Sequence, residues 1–315
     1  MCGITGMVLG RKERTAEELE GLRARFSALM KSTEVRGPDA TGAFIVNRKG
    51  IEYYKAPISA SMAVLEPEWW GLMDKISSDT VAVIGHTRWA TTGDPENNDN
   101  NHPICIDKII GIHNGIIRNH VEIKNRYETE DIPEVDSAAI FAAIASKAGN
   151  KSVNTEVIGS ALSELSGDMA IVLADARRTD SIFVARDNGR PLEFTYSDYH
   201  KVLFMASTEE ILKEGLGVND IETFSLPANS VARLSAKHGS GAKVQATRWT
   251  PRTIKPDFSF STSRSTPRPT PRPLLPRYCP HESLEELGTT LANGDPLYLC
   301  KECSDIVFLD EDRMF

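Results

Sequence analysis

The sequence predicts an α+β fold built from packed layers. Short apolar strands occur in runs between separate groups of amphipathic helices, whereas a parallel sheet would need strands and helices to alternate one by one. The chain has 315 residues, of which 40% are hydrophobic and 25% charged, so it has the composition of a globular protein with one large core or two domains. We therefore expect sheets covered by helices.

The first predicted strand covers residues 4–9, and a helix follows over about 16–31. Thr15 and Glu18 have the spacing of a capping box, and large apolar residues recur behind them at helical spacing. Arg36-Gly37-Pro38-Asp39 predicts a turn, because glycine and proline interrupt a helix. The strands predicted next are 42–47, 51–55, 80–87, 104–106 and 109–113.

The last of these strands is predicted to end at Asn114-Gly115. Cys105 lies in an apolar strand and is interpreted as a packed core residue. The later elements are helices near 119–128, 136–148 and 155–166, strands at 168–174, 181–186 and 202–206, a short helix after Thr208, and edge strands within 222–249.

The charge and the cysteine count argue against several classes of protein. The net charge is −8, so the chain as a whole is not an obvious nucleic-acid binder. It has no run of 18 apolar residues, so we expect no membrane span, and charged residues at 11–14 interrupt the N-terminal stretch before a signal peptide can form. Five cysteines, an odd number, argue against a secreted disulfide scaffold and favour the reducing cytoplasm.

Residues 251–277 are predicted to be an exposed, semi-rigid linker that follows a first domain spanning 1–250. The segment holds seven prolines and five arginines among scattered serines and threonines. Its positive charge can attract an acidic partner or nucleic acid, although a solvated spacer is the simpler interpretation.

Residues 278–315 are predicted to form a small zinc-ribbon-like module. So short a segment buries little core by itself, and a structural metal would supply the missing stability. Cys300 and Cys303 have the two-residue gap of a zinc knuckle, and Cys279 and His281 lie upstream of them. The single residue between Cys279 and His281 is a shorter gap than usual, which weakens His281 as the fourth ligand. A redox pair and plain surface cysteines are the alternatives.

Cys2 directly follows the initiator Met and becomes the N-terminal residue if that Met is removed. Such a residue carries a thiol and a free α-amine on one Cα. The amine has a reference pKa of about 8, so it can act as the base for its own nucleophile. The simpler alternative is that Cys2 is only a small residue that permits removal of Met1.

Five polar stretches interrupt the predicted elements of the first domain. Each follows a strand or precedes a helix, where loops carry functional groups on a rigid scaffold. They are Arg36-Gly37-Pro38-Asp39, residues 85–93, His102-Pro103, His113-Asn114-Gly115 and Val135-Asp136-Ser137.

An amide hydrolase with a thiol nucleophile needs groups of these kinds. The Asn114 amide and the Gly115 N–H can donate to the oxyanion of a tetrahedral intermediate. Arg88 can bind a carboxylate, and Asp136 can bind an ammonium group. Each also has a structural alternative: a surface ion pair for Arg88, a hairpin turn for Asn114-Gly115 and a helix N-cap for Asp136.

Together and in this order, the motifs resemble the class II glutamine amidotransferases, the N-terminal-nucleophile glutaminase domains. The resemblance covers about residues 2–235. Residues 1–4, 87–91 and 113–115 are similar to the glucosamine-6-phosphate synthase branch, and the turn at 36–39 is similar to asparagine synthetases. Thr92 stands where the synthase branch often has His, so the closing loop can differ. The resemblance implies a four-layer αββα sandwich with Cys2 at the mouth of a glutamine pocket.

The resemblance also implies roles for the residues that match the family motifs. Cys2 would be the nucleophile and its α-amine the base, while Asn114 and Gly115 would form the oxyanion hole. Arg36 would lie near the nucleophile and order the site. No metal or cofactor is expected there. Histidines without an expected catalytic role, interpreted as orienting or core residues, are His86, His102 and His113.

For the substrate, the resemblance implies L-glutamine. Arg88, helped by Thr91, would hold its α-carboxylate, and Asp136 would hold its α-ammonium. The predicted function is a glutaminase subunit that supplies ammonia to a separate synthase. One alternative is an amidase of the same fold that acts on another amide. The other is a non-catalytic protein that senses glutamine and contacts a partner through its C-terminal module.

Overall fold

The computed structural model describes residues 2–127 and 133–252 in full, together with the backbone of three strands near the C-terminus. Contacts between residues divide the chain into two units, Met1–Lys255 and Pro256–Phe315. Thirteen described strands belong to the first unit: β1 Gly3–Leu9, β2 Ala40–Asn47, β3 Gly50–Ala56, β4 Thr80–Arg88, β5 Ile104–Ile106, β6 Ile109–Ile117, β7 Gly167–Asp175, β8 Arg178–Arg186, β9 Glu193–Ser197, β10 Val202–Ala206, β11 Phe224–Ser225, β12 Ser230–Ser235 and β13 Ala246–Arg248.

The first unit also holds the α-helices that the structure describes. They are α1 Ala16–Thr33, α2 Ala60–Ala63, α3 Pro67–Met73, α4 His120–Tyr127, α5 Ser137–Ala148, α6 Thr155–Leu162 and α7 Glu209–Leu216. Short 3₁₀ turns occur at Glu34–Arg36 and Asn98–Asn100.

Two antiparallel sheets pack face to face in the first unit. The seven-stranded sheet has the order β11-β9-β10-β1-β4-β2-β3, and the six-stranded sheet has the order β13-β12-β8-β7-β6-β5. One apolar core lies between the sheets, a second joins α5 and α6 to the outer face of the six-stranded sheet, and a third joins α1, α3 and α7 to the outer face of the seven-stranded sheet. The layers therefore run αββα, as predicted.

Strand β1 lies inside the seven-stranded sheet, between β10 and β4, and it is buried on both faces. Ile4 and Val8 belong to the core between the sheets, whereas Met7 and Leu9 belong to the core under the helices. This split follows from the two-residue period of a strand. Cys2, which directly precedes β1, is thereby held at the edge of the rigid centre of the domain.

Helix α1 begins with the predicted capping box. The Thr15 hydroxyl accepts from the Glu18 N–H at 3.2 Å, and the Glu18 carboxylate accepts from the Thr15 N–H at 3.0 Å. Leu22 and Phe26 lie on the face that packs on the seven-stranded sheet. The helix continues to Thr33, two residues beyond the prediction.

None of the helices in the described ranges combines the length and the apolar character that a bilayer crossing needs.

Several predicted features of strands were wrong. Strand β6 does not end at Asn114-Gly115 but continues through both residues to Ile117, because β7 pairs with it along its whole length. Cys105 is exposed, because β5 turns its two isoleucines inward and the residue between them outward. Within 222–249 only β11 and β13 are edge strands, since β12 lies between β8 and β13. The prediction contained no elements at α2, α3 or β9.

The second unit contains, in its described part, a three-stranded antiparallel sheet in the order β14-β15-β16. Its strands are β14 Leu284–Thr290, β15 Pro296–Cys300 and β16 Ile306–Phe308. The predicted zinc ligands Cys279, His281 and Cys303 and nearly all of the predicted linker lie outside the described residues. Only the backbone of Cys300 is described, so the zinc module stays a prediction.

Candidate active site

Cys2 places its thiol against the peptide that follows strand β4. The Trp89 N–H donates to Cys2 Sγ at 3.4 Å, and the thiol lies 3.6 Å from the Trp89 carbonyl oxygen. Burial raises the pKa of the Cys2 thiol, while the Trp89 N–H and the Arg88 guanidinium act in the opposite direction. The thiol is therefore mostly protonated at neutral pH, and a nearby base is needed to make it nucleophilic.

Arg36 forms a hydrogen bond to the backbone of Cys2. Its Nε–H donates to the Cys2 carbonyl oxygen at 2.8 Å. The carbonyl group belongs to the peptide bond that enters β1. The hydrogen bond from Arg36 therefore fixes the direction in which Cys2 leaves the sheet. The structure thus brings Arg36 beside Cys2.

The turn that follows Arg36 holds the chain beyond β4 in place. The Asp39 N–H donates to the Arg88 carbonyl at 3.0 Å, and the Asp39 carboxylate accepts from the Ala90 N–H at 2.7 Å. Gly37 packs directly on this stretch, since a Cβ at Gly37 would lie 2.3 Å from the Trp89 nitrogen. The turn at 36–39 therefore positions both Cys2 and the peptide that contacts its sulfur.

Arg88, the last residue of β4, is buried and anchors the following loop. Its Nη2 donates to the carbonyl oxygens of Thr92 at 2.6 Å and Gly93 at 2.9 Å, and its Nη1 donates to Asn101 Oδ1 at 2.7 Å. Within the described residues, Nε–H and one Nη1 hydrogen have no acceptor. Thr91 lies exposed in the loop that Arg88 holds. Arg88 is thus no surface ion pair, and it retains donors for an additional ligand.

Asn114 and Gly115 lie within β6, beyond the point at which its pairing with β5 ends, at Ile104↔Gly111. The Asn114 side chain is 1% exposed, and its Nδ2 has no hydrogen-bond partner among the described residues. A buried donor without an acceptor costs about 1–3 kcal/mol, so an acceptor from outside the protein, either a ligand or a water molecule, is expected there. Gly115 must be glycine, since a Cβ would lie 1.8 Å from the Asp168 carbonyl oxygen.

Asp136 precedes α5, but its side chain does not cap that helix. Its Oδ2 instead accepts from the Ile117 N–H, at the end of β6, at 2.6 Å. The pKa of Cys2 is raised first by burial, and the Asp136 charge adds to that effect. Burial lowers the pKa of Arg88, and the charges of Cys2 and Asp136 partly oppose the shift. Cys2, Arg88 and Asp136 therefore lie near enough to one another for their charges to interact.

Three buried histidines support the strands around the site. His86 Nε2–H donates to the His113 carbonyl at 3.1 Å, and the His86 and His102 rings lie 4.1 Å apart. His113 Nδ1 and Ser137 Oγ share a hydrogen bond of 2.8 Å, while His113 Nε2 faces the Asp168 carbonyl at 3.4 Å. The carbonyl that His86 holds belongs to the peptide bond leading into Asn114. His86 and His113 are therefore orienting residues.

Acidification is expected to destabilise the domain through these histidines. Burial lowers the pKa of all three, to about 3 for His86, while the unfolded chain titrates near 6.5. Between those pH values the unfolded state binds more protons, so the free energy of unfolding should fall as the pH decreases below about 6.5. A histidine that stays neutral in the folded state and is protonated in the unfolded state contributes a slope that approaches about 1.4 kcal/mol per pH unit.

Urea unfolding between pH 5 and 8 measures this slope. The control is His86→Asn, whose amide can still donate a hydrogen bond but does not titrate. The slope of the unfolding free energy against pH should therefore decrease by about 1.4 kcal/mol per pH unit, the contribution of one proton. An unfolding midpoint that stays constant from pH 7 to pH 5 would contradict the expectation.

Two residues that shape the site were not predicted as site residues. Asp39 bridges the chain on both sides of Trp89, and Asn101 fixes the Arg88 guanidinium. Asp39 stands in a motif already identified as a turn, so its polar side chain was the available signal. Asn101 precedes His102-Pro103, but no local pattern connects it with Arg88.

In the described ranges there is no group of three or more metal-ligand side chains that could hold a metal ion.

Known proteins match a large part of this chain. Residues 86–214 match the family model described as a glutamine amidotransferase domain, and this range includes Arg88, Asn114 and Asp136. The chain is 33% identical over 198 residues to glutamine–fructose-6-phosphate aminotransferase (isomerizing) of Lactococcus lactis, with 61% of this chain and 30% of that protein aligned. It is 27% identical over 213 residues to 7-cyano-7-deazaguanine synthase of Saccharolobus solfataricus, with 67% and 43% aligned.

The fold also matches solved structures. Glutamine phosphoribosylpyrophosphate amidotransferase from B. subtilis superposes with a TM-score of 0.58 over 79% of this chain and 49% of that one, at 17% identity. At this identity the match shows a shared fold. The chain spans less than half the length of the curated relatives described above.

Proposed function

Because residues 86–214 match a glutamine amidotransferase domain, we propose that this chain is a class II glutamine amidotransferase that hydrolyses L-glutamine to glutamate and ammonia through a thioester on Cys2. One observation carries the proposal. The Cys2 thiol contacts the Trp89 peptide next to Arg88, and the charges of Arg88 and Asp136 both act on the thiol, although the three residues come from distant parts of the sequence. A thiol, a cation and an anion held together match the reactive carbonyl, the carboxylate and the ammonium of an amino-acid amide.

In the proposed mechanism, removal of Met1 leaves Cys2 with a free α-amine. That amine takes the thiol proton, and Sγ attacks the side-chain carboxamide carbon of glutamine. The carbonyl electrons move to the oxygen, and the Asn114 amide and the Gly115 N–H stabilise the oxyanion. The unused Nδ2 hydrogens of Asn114 support this role, because no protein acceptor competes for them.

The tetrahedral intermediate then collapses. The carbon–nitrogen bond breaks, the α-ammonium returns its proton to the leaving nitrogen, and ammonia departs from a γ-glutamyl thioester. Water attacks the thioester carbon, with the α-amine again as base, and releases glutamate and the free thiol. The steps require no metal or cofactor at this site, and a thiol nucleophile suits the reducing cytoplasm predicted for the protein.

Recognition of the substrate is assigned to the two charged groups at the site. The donors of Arg88 that remain without protein acceptors would bind the α-carboxylate, and the Asp136 carboxylate would bind the α-ammonium. Thr91 would help, since it lies in the loop whose carbonyls accept hydrogen bonds from Arg88. A free amino acid is therefore favoured over a peptide amide, whose blocked termini would leave both charges without a partner.

We further propose that the ammonia passes to a synthase that is a separate partner. The curated relatives include a synthase and an aminotransferase, and more than half of each lies outside the aligned region. The predicted linker and C-terminal module would then serve partner docking. We expect the tagged full-length chain to co-purify with such an enzyme, and a pull-down that recovers none would count against the partnership.

Glutamine hydrolysis by the purified full-length chain tests the proposed activity. Glutamate release is measured together with the mass of the protein N-terminus, against asparagine, γ-glutamyl peptides and N-acetylglutamine as alternative amides. We expect turnover of glutamine by protein that starts at Cys2 and little turnover of N-acetylglutamine. Faster turnover of another amide would favour the amidase alternative, and glutamine binding without turnover in the presence of cell extract would favour the sensor.

A further inference from the structure

A cationic cavity lies at the opposite end of β1 from Cys2. It is formed by the turn between β12 and β13 and has a volume of about 680 Å³, within the range of small-molecule sites. The turn packs on the chain just after β1, since a Cβ on Gly239 would lie 2.2 Å from the Gly10 nitrogen. At about 3.3 Å per residue, the length of β1 separates this cavity from Cys2 by more than about 20 Å.

The lining of the cavity has an excess of positive charge, although the chain has a net charge of −8. Four cations, Arg11, Arg233, Lys237 and Lys243, face one carboxylate, Asp180. Arg233 binds that carboxylate at 2.8 and 3.0 Å, which neutralises it. The other three cations make no ion pair with any residue in the described part of the chain. Such a cluster attracts anions with several charges.

His238 adds a neutral donor to the same cavity. Its side chain is 4% exposed, and its Nδ1 accepts from the Ser235 N–H at 3.0 Å, so the ring proton is on Nε2. Burial lowers the pKa of His238, and the charges of Lys237 and Arg233 act in the same direction. The Nε2–H has no acceptor among the described residues. As a donor in the lining of a cationic cavity, it is suited to a ligand oxygen.

A second, more apolar cavity of about 320 Å³ adjoins the first and shares His238 and Lys243 with it. Tyr196 and Phe224 contribute aromatic rings to this second cavity. Phe224 is 42% exposed although its ring stacks on Phe194 at 5.5 Å, so one of its faces remains free to stack. A flat aromatic ligand group can be bound there.

We propose that the two cavities together bind a nucleoside polyphosphate. The phosphates lie among Arg11, Lys237 and Lys243 and accept a hydrogen bond from His238, while the base stacks on Phe224. This combination favours a nucleotide over inorganic anions, which would use only the first cavity, and over apolar ligands, which would use only the second. The proposal goes beyond the glutaminase function, and binding at this distance from Cys2 is measured without turnover.

Calorimetric titration of the full-length chain with ATP, GTP and tripolyphosphate tests the proposal. We expect saturable binding of a nucleotide with a Kd below about 1 mM, weakened at least about tenfold by Lys237→Ala/Lys243→Ala. The matched control is Lys108→Ala/Lys151→Ala, which changes the net charge equally at exposed positions outside the cavity and should leave binding unchanged. Phe224→Ala should weaken nucleotide binding but not tripolyphosphate binding.

Each contrary outcome overturns the proposal. Absence of saturable nucleotide binding does so directly. Equal weakening by both double variants would reduce the effect to net charge. Binding of nucleotide and tripolyphosphate with equal affinity, unaffected by Phe224→Ala, would show an anion site without base recognition. A single-stranded oligonucleotide that binds far more tightly than any mononucleotide would show a nucleic-acid surface instead. Thermal unfolding of each variant establishes that it is folded.

Discussion

Glutamine hydrolysis is expected to disappear in Cys2→Ala, whereas the fold and glutamine binding persist. The reason is chemical: without Sγ no thioester forms, and loss of a nucleophile costs on the order of 10⁴-fold or more in turnover. Alanine is small enough to permit removal of Met1, so the variant keeps its α-amine. The thiol makes only long contacts with the Trp89 peptide, at 3.4 and 3.6 Å, so its loss should change the free energy of unfolding by less than about 1 kcal/mol.

The matched control for this variant is Cys105→Ala, which removes an exposed thiol from β5 and should retain full activity. Glutamate release gives the rate, calorimetry gives the glutamine affinity, and urea unfolding gives the stability. Measurable turnover by Cys2→Ala, beyond that of a mock preparation, would assign catalysis to another group. Loss of activity in Cys105→Ala as well would indicate damage to the sheet rather than to the chemistry.

Asn114→Ala is expected to lower kcat by about 10²–10³-fold with little change in KM. The amide is assigned to the oxyanion, which exists only after attack, so its removal should affect the transition state more than the bound substrate. The stability should not fall in parallel, because the buried Nδ2 has no protein acceptor to lose. Loss of rate without loss of stability therefore distinguishes an oxyanion donor from a structural amide.

A near-isosteric variant and a control variant accompany Asn114→Ala. Asn114→Asp has nearly the same shape but places a carboxylate beside the developing oxyanion, so it should be at least as inactive as Asn114→Ala. Asn150→Ala changes an exposed asparagine after α5 and should behave as wild type. A parallel loss of activity and stability in Asn114→Ala would indicate that the side chain supports β6 instead.

The layers and the neighbourhood of the nucleophile could be predicted because their signals are local. The capping box follows from the spacing of Thr15 and Glu18, the strand at 4–9 from its run of apolar residues, and the turn at 36–39 from its glycine and proline. The family motifs placed Arg88 and Asp136 among the site residues. The structure brings both close enough to Cys2 to influence the pKa of its thiol.

The remaining features depend on contacts between distant residues. An Asn-Gly pair is a strong local signal for a hairpin turn, yet pairing with β7 carries the chain straight through Asn114-Gly115. Asn101 acts on Arg88 only because the loop after β4 folds back on that strand. Cys105 lies in an apolar run, and its exposure depends on the direction in which its strand faces. Such features require the tertiary structure.

Backbone packing at two glycines of the candidate site has a consequence for mutational tolerance. Gly37 lies against the Trp89 nitrogen, and Gly115 lies against the Asp168 carbonyl oxygen, with no room for one additional carbon atom at either position. At both positions main chain packs directly on main chain, and point substitutions elsewhere leave these main-chain atoms in place. Evolution can change the surrounding side chains, but a single methyl group at either of these two positions would displace the backbone of Trp89 or Asp168.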